Sequence, residues 1–119
     1  MKLSKPIAGY HLLLLLLTAD GKVKPAEALV IKDWLASQFP FNVDLDAELE
    51  KFLALKTEEH MSFFNRMMDE FYLDSTVEER NEFLRFALEL VKADKNISPD
   101  ENVYLNLLFL NWTEIEEDV

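Results

Sequence analysis

Residues 19–31 read Ala-Asp-Gly-Lys-Val-Lys-Pro-Ala-Glu-Ala-Leu-Val-Ile, and residues 93–105 read Ala-Asp-Lys-Asn-Ile-Ser-Pro-Asp-Glu-Asn-Val-Tyr-Leu. Superposed at a constant offset of 74, the two stretches agree at Ala19/Ala93, Asp20/Asp94, Pro25/Pro99 and Glu27/Glu101, with Val23/Ile97 alike in kind. The match continues upstream through Leu14/Leu88, Leu16/Leu90 and Leu17/Val91. In each copy an apolar stretch runs into the Asp, and a second helical pattern opens at the Pro, where a missing backbone N–H costs nothing. The repeated unit is therefore helix, acidic loop, helix. Two such pairs pack best about a pseudo-twofold axis, which predicts an all-α fold: a compact bundle of six to seven helices.

Outward from the repeat, periodicity predicts a first helix over about residues 6–19 and a second over 25–39 that buries Val30, Ile31, Trp34 and Leu35 and is stopped by Pro40. A shorter helix over 44–55 has an acidic first turn, as the helix dipole favours. Thr57 is the expected N-cap of a fourth, carrying Met61, Phe64, Met68, Phe71 and Tyr72 on its core face. A capping box, Ser75 with Glu78 or Thr76 with Glu79, opens a fifth helix carrying Phe83, Phe86, Leu90 and Val91. Ser98, Pro99 and Glu101 form the start of the last, which fades after Trp112.

The chain has 119 residues, half of them apolar, with few Gly and Pro; that is room for one helical domain over residues 1–119 and little material for the turns of a β fold. Lys2 and Lys5 ahead of the leucine run imitate a signal peptide, but the run is short, is interrupted by His11, and leads directly into the repeat. It is expected instead to be the buried centre of the bundle. A net charge of −11 is the wrong sign for binding nucleic acid. Residues 1–51 hold seven acids and six bases, while residues 52–119 hold sixteen and six, so the electronegative surface belongs to the second part of the chain. That surface suits cations or basic partners, and equally suits plain solubility.

Each loop has the pattern of the second half of an EF-hand, an Asp, a β-branched aliphatic residue and a Glu at the proper intervals. The first half is absent: Leu16 and Thr18 in one copy, and Leu90 and Lys92 in the other, stand where calcium needs oxygen ligands. Two readings of the loops remain. In one, Gly21 and Asn96 end helices, the prolines and glutamates start them, and Asp20 and Asp94 bond nearby loop amides. In the other, Asp20, Glu27, Asp94 and Glu101, with Asp100 in reserve, gather hard oxygen ligands whose mutual repulsion a divalent cation relieves. An oxygen-only set points to calcium, magnesium or manganese. Enzymatic chemistry has no foothold: there is no cysteine, no phosphate-binding glycine loop and no nucleophile elbow. His11 is expected to be a hydrogen-bonded packing residue and His60 a surface residue.

The helix, Ala-Asp-Gly-x-Val-x-x-x-Glu, helix unit in both halves resembles the TerB-like family of tellurite-resistance proteins over essentially the whole chain. Copy one fits through Ala19, Asp20, Gly21, Val23, Pro25 and Glu27; copy two departs at Lys95, where glycine is usual. The resemblance implies a cytoplasmic bacterial protein of the stress response, without enzymatic activity, that binds a divalent metal ion through Asp20, Glu27, Asp94 and Glu101. It also implies a scaffold role with a protein partner and peripheral association with a membrane complex. The alternative is a metal-independent interaction module that presents its acidic surface to a partner.

Overall fold

The leucine run is the axis of the molecule. In the computed structural model, which describes residues 5–20, 24–39, 44–93 and 102–117, with residues 19, 20 and 113–117 in backbone only, α1 spans Lys5–Leu16 and continues as a 3₁₀ turn, Leu17–Asp20. Every residue from Leu12 to Leu17 has no exposed surface, and α1 touches all five other helices. A helix apolar on every side can be stable only when it is packed on every side. The first helix thus ends one turn earlier than its periodicity predicts, and the chain tightens into 3₁₀ geometry as it enters the acidic loop.

Around it stand α2 (Pro25–Gln38), α3 (Leu45–Leu53), α4 (His60–Leu73), α5 (Val77–Ala93) and α6 (Val103–Glu117); among the described residues there is no strand. The fold is all-α, with six α-helices among the described residues. One contiguous cluster of buried apolar side chains includes residues from all of them.

Several local expectations shift. On α2 the core face is Ala28, Ile31 and Leu35, with Trp34 on its flank stacked on Phe86 at 4.3 Å. Val30 is 49% exposed, because at about 100° per residue it lies opposite the stripe that Ala28, Ile31 and Leu35 share. Thr57 is not the cap of α4. It opens a 3₁₀ turn, Thr57–Glu59, in which the Lys56 N–H donates to the Glu59 carboxylate at 2.8 Å, and α4 begins at His60. Its core stripe is Phe64, Met67, Met68 and Phe71; Met61, in the first turn, is exposed. His60 is half-buried, its ring stacked on Phe52.

Of the two candidate capping boxes before α5, the structure forms the one at Thr76. The Thr76 hydroxyl accepts from Glu79 N–H at 3.1 Å, and Glu79 accepts from Thr76 N–H at 2.9 Å. Glu79 also takes the Lys5 ammonium at 2.8 Å, which fastens the start of α1 to the start of α5. Burial opposes ionisation of Glu79, but the bonds from Lys5 and Thr76 outweigh it and hold the carboxyl below its ordinary pKa. Arg80 closes the α4–α5 turn, donating to the Tyr72 and Ser75 carbonyls at 3.0 and 2.7 Å with its guanidinium over the Tyr72 ring.

Phe39 and Trp112 are claimed by the core, and Phe109 is half-buried against it. The expectations placed on Pro40, Gly21, Asn96, Ser98 and Pro99 lie outside the described residues.

Candidate functional site

The first acidic loop leaves α1 through the 3₁₀ turn that ends at Asp20, and Glu27 occupies the third position of α2. Lys24 is the N-cap, its carbonyl accepting from the Glu27 and Ala28 amides at 3.0 and 3.1 Å, and Pro25 stands at the first position, as its fixed φ favours. A carboxylate in this first turn faces the positive end of the α2 dipole, which stabilises its charge. Glu27 is half-buried. The Asp20 side chain, and the whole of Asp94, Asp100 and Glu101, lie outside the described residues. Among the described residues no three His, Asp, Glu or Cys side chains are grouped as a metal ion requires. Of the four expected ligands, then, Glu27 alone has a described side chain.

What ties the two loop regions together is a residue that the repeat did not single out. Asn102 is 4% exposed at the start of α6, and its side-chain amide works in both directions. Its Oδ1 accepts from Leu105 N–H at 3.1 Å, capping α6, while Nδ2 donates to the Leu16 carbonyl at 2.8 Å. That carbonyl stands at the end of α1, where the chain passes into the 3₁₀ turn Leu17–Asp20. One side chain therefore links the end of the helix before the first loop to the beginning of the helix after the second. At the offset of 74 the counterpart of Asn102 is Ala28, buried and apolar, so this bond has no equivalent in the first copy. The available signal was Asn102 itself, a residue type favoured at N-caps, three residues after a Pro that already announced a helix start.

A second polar feature lies along α1. His11 is 3% exposed, and its Nε2 lies 2.9 Å from Glu48 Oε1 on α3. Burial lowers the His11 pKa against the opposing pull of Glu48, so the ring is neutral at pH 7. Glu48 is held below its ordinary value, since hydrogen bonds from His11 and Lys51 outweigh the burial that would raise it. An ionised carboxylate only accepts, so Nε2 carries the proton and donates. The expectation of a hydrogen-bonded packing histidine holds.

No described helix is long and apolar enough to cross a membrane. No curated protein and no solved structure matches the chain. The sequence profile of the family described as tellurite resistance protein TerB matches residues 7–109, which takes in both acidic loops and all of the helix pattern between them. An all-α fold built on a buried leucine helix, with the acidic unit at each end of the matched region, agrees with that match, and the chain belongs to the TerB family.

Proposed function

We propose that this tellurite-resistance-like helical domain binds a divalent cation with the carboxylates of its two acidic loops and serves, without catalysis, as a scaffold in a cytoplasmic stress response. Asp20 and Glu27 would supply ligands from the first loop, and Asp94 and Glu101 from the second. The donor set fits a hard cation in kind, because every member is an oxygen ligand and calcium, magnesium and manganese take such ligands.

The observation that carries this reading is the bond from Asn102 to Leu16. Asn102 follows Glu101 directly in the chain, and Leu16 precedes Asp20 by four residues. Two loops tethered at their adjoining helix ends can share ligands for one ion; loops at opposite ends of a bundle would each have too few. The half-burial of Glu27 adds to this, since a carboxylate drawn out of bulk water binds a cation with less competition from the solvent.

Calorimetric titration of chelator-treated protein with calcium, magnesium and manganese tests the proposal. The expected result is a saturable heat with at least one of the three, abolished by Asp20→Asn together with Asp94→Asn. If no cation gives a saturable heat at millimolar concentration, the acidic surface itself becomes the functional feature. The domain would then be a metal-independent module for a basic partner, in keeping with the ten surplus acids among residues 52–119.

A further inference from the structure

Along the α1, α3 and α4 side of the bundle lies a cavity of about 220 Å³, lined by His11, Glu48, Lys51, Leu55, Phe63, Arg66 and Met67. Its walls divide by chemistry. Leu55, Phe63 and Met67 supply apolar surface, and Phe63 meets the His11 ring edge-on at 4.9 Å between centroids. Lys51 and Arg66 supply two cations in a chain whose net charge is −11. Glu48 lies between Lys51 and the imidazole and is already engaged, by His11 at one oxygen and by Lys51 at the other at 3.1 Å.

Three groups in this lining are not used up by the fold. With Nε2–H committed to Glu48, Nδ1 of the neutral ring is an acceptor, and it is buried with no hydrogen-bonding partner among the described residues. A buried acceptor left so is a cost to the folded state that leucine at the same position would not incur, and leucines occupy the six positions that follow. Arg66 bonds Glu70 through Nε alone, at 3.4 Å, with its side chain 67% exposed. An exposed pair of this spacing is weak, so the terminal nitrogens of the guanidinium can turn to a stronger acceptor in bidentate fashion. The Lys51 ammonium, 71% exposed, has donors beyond the one it gives Glu48.

We propose that this cavity is a binding site for a small organic acid with an apolar body and a hydroxyl or amino donor: the carboxylate on Arg66 and Lys51, the body against Leu55, Phe63 and Met67, the donor on His11 Nδ1. The arrangement selects on three features at once. Inorganic anions leave the apolar walls bare, hydrocarbons leave the cations and the imidazole unanswered, and a bare metal ion meets two positive charges at the mouth. The site uses none of the loop carboxylates, so it stands or falls independently of the cation proposal.

The test is titration of the whole protein with 4-hydroxyphenylacetate and with 2-hydroxyisocaproate, followed by calorimetry and by the ¹⁵N resonances of the His11 ring. Saturable binding is expected for at least one acid, with a shift at Nδ1 as it gains a donor and little change at Nε2. The corresponding amide, which keeps the shape but loses the charge, should bind about tenfold more weakly or worse, the factor a charged hydrogen bond supplies. Arg66→Gln with Lys51→Gln, both on the exposed surface and harmless to the core, should lose a similar factor. Absence of saturable binding by both acids, equal affinity for the amide, or undiminished affinity in the double variant would overturn the proposal.

Discussion

Asn102→Ala removes two interactions at once, the cap on α6 and the partner of the Leu16 carbonyl. The cap alone is typically worth ~1 kcal/mol, and a hydrogen bond between buried groups contributes ~1 kcal/mol, so the variant should lose roughly 2 kcal/mol in urea unfolding. A loss no larger than a surface cap gives would mean that the helix ends are held together by something else. At the same scale, His11 makes stability depend on pH. Its pKa is lowered from 6.5 in the folded protein, so over the interval beneath 6.5 the unfolded chain binds more protons, and acidification favours unfolding. Glu48, also lowered, acts in the same direction at still lower pH, beneath 4.5. The urea midpoint should therefore fall between about pH 7.5 and about pH 5.5, and that fall should shrink in His11→Phe. An identical pH profile for parent and variant would show that the ring titrates as freely when folded as when unfolded. Neither device was fully legible in the sequence: His11 stood out as a polar interruption, but the residue that answers it, Glu48, is 37 positions away on a helix whose acidic face looks ordinary.

At the scale of the element, α1 was the most legible part of the chain, because a helix apolar on all sides has one destination. At Gly9 of this helix a Cβ would lie 3.0 Å from Phe83 and 3.3 Å from Phe71. Gly9→Ala gains helix propensity of roughly 1 kcal/mol, but it forces two buried aromatic rings to move in a packed core, which typically costs ~1–3 kcal/mol. The net expectation is a destabilised protein, read as a lower thermal midpoint; a raised midpoint would show that the rings give way freely. The amphipathic helices were legible in face and less so at their ends. Periodicity placed Phe64, Phe71, Phe83 and Val91 in the core correctly, yet it set Val30 and Met61 there too, because a window of apolar residues does not say which part of a wide stripe a neighbour covers. Thr57 was misassigned as a cap for a related reason: Thr has the right chemistry, but the chain forms a 3₁₀ turn before α4, and Glu59 does the capping from the other side.

At the scale of the whole molecule, the helical periodicity and the acidic motif pointed to the fold class and the family, while the cavity at His11 and the tether at Asn102 are products of tertiary packing that no local pattern encodes. The repeat also supplied the proposed ligand set, and the central claim is that its carboxylates act together on a cation. Cation that binds only the folded chain stabilises it by about 2.7 kcal/mol at a hundred times the dissociation constant. For a domain of this size that is a rise in melting temperature of roughly 10 °C. Asp20→Asn with Asp94→Asn removes two charges while nearly conserving shape, so the fold should survive and the response should not. The most direct measurement is the melting temperature of chelator-treated parent and double variant, each with and without millimolar calcium, magnesium or manganese. A clear rise is expected for the parent with at least one cation and none for the double variant; an unshifted parent, or a rise that persists undiminished in the double variant, would rule out a cation site built from the loop carboxylates.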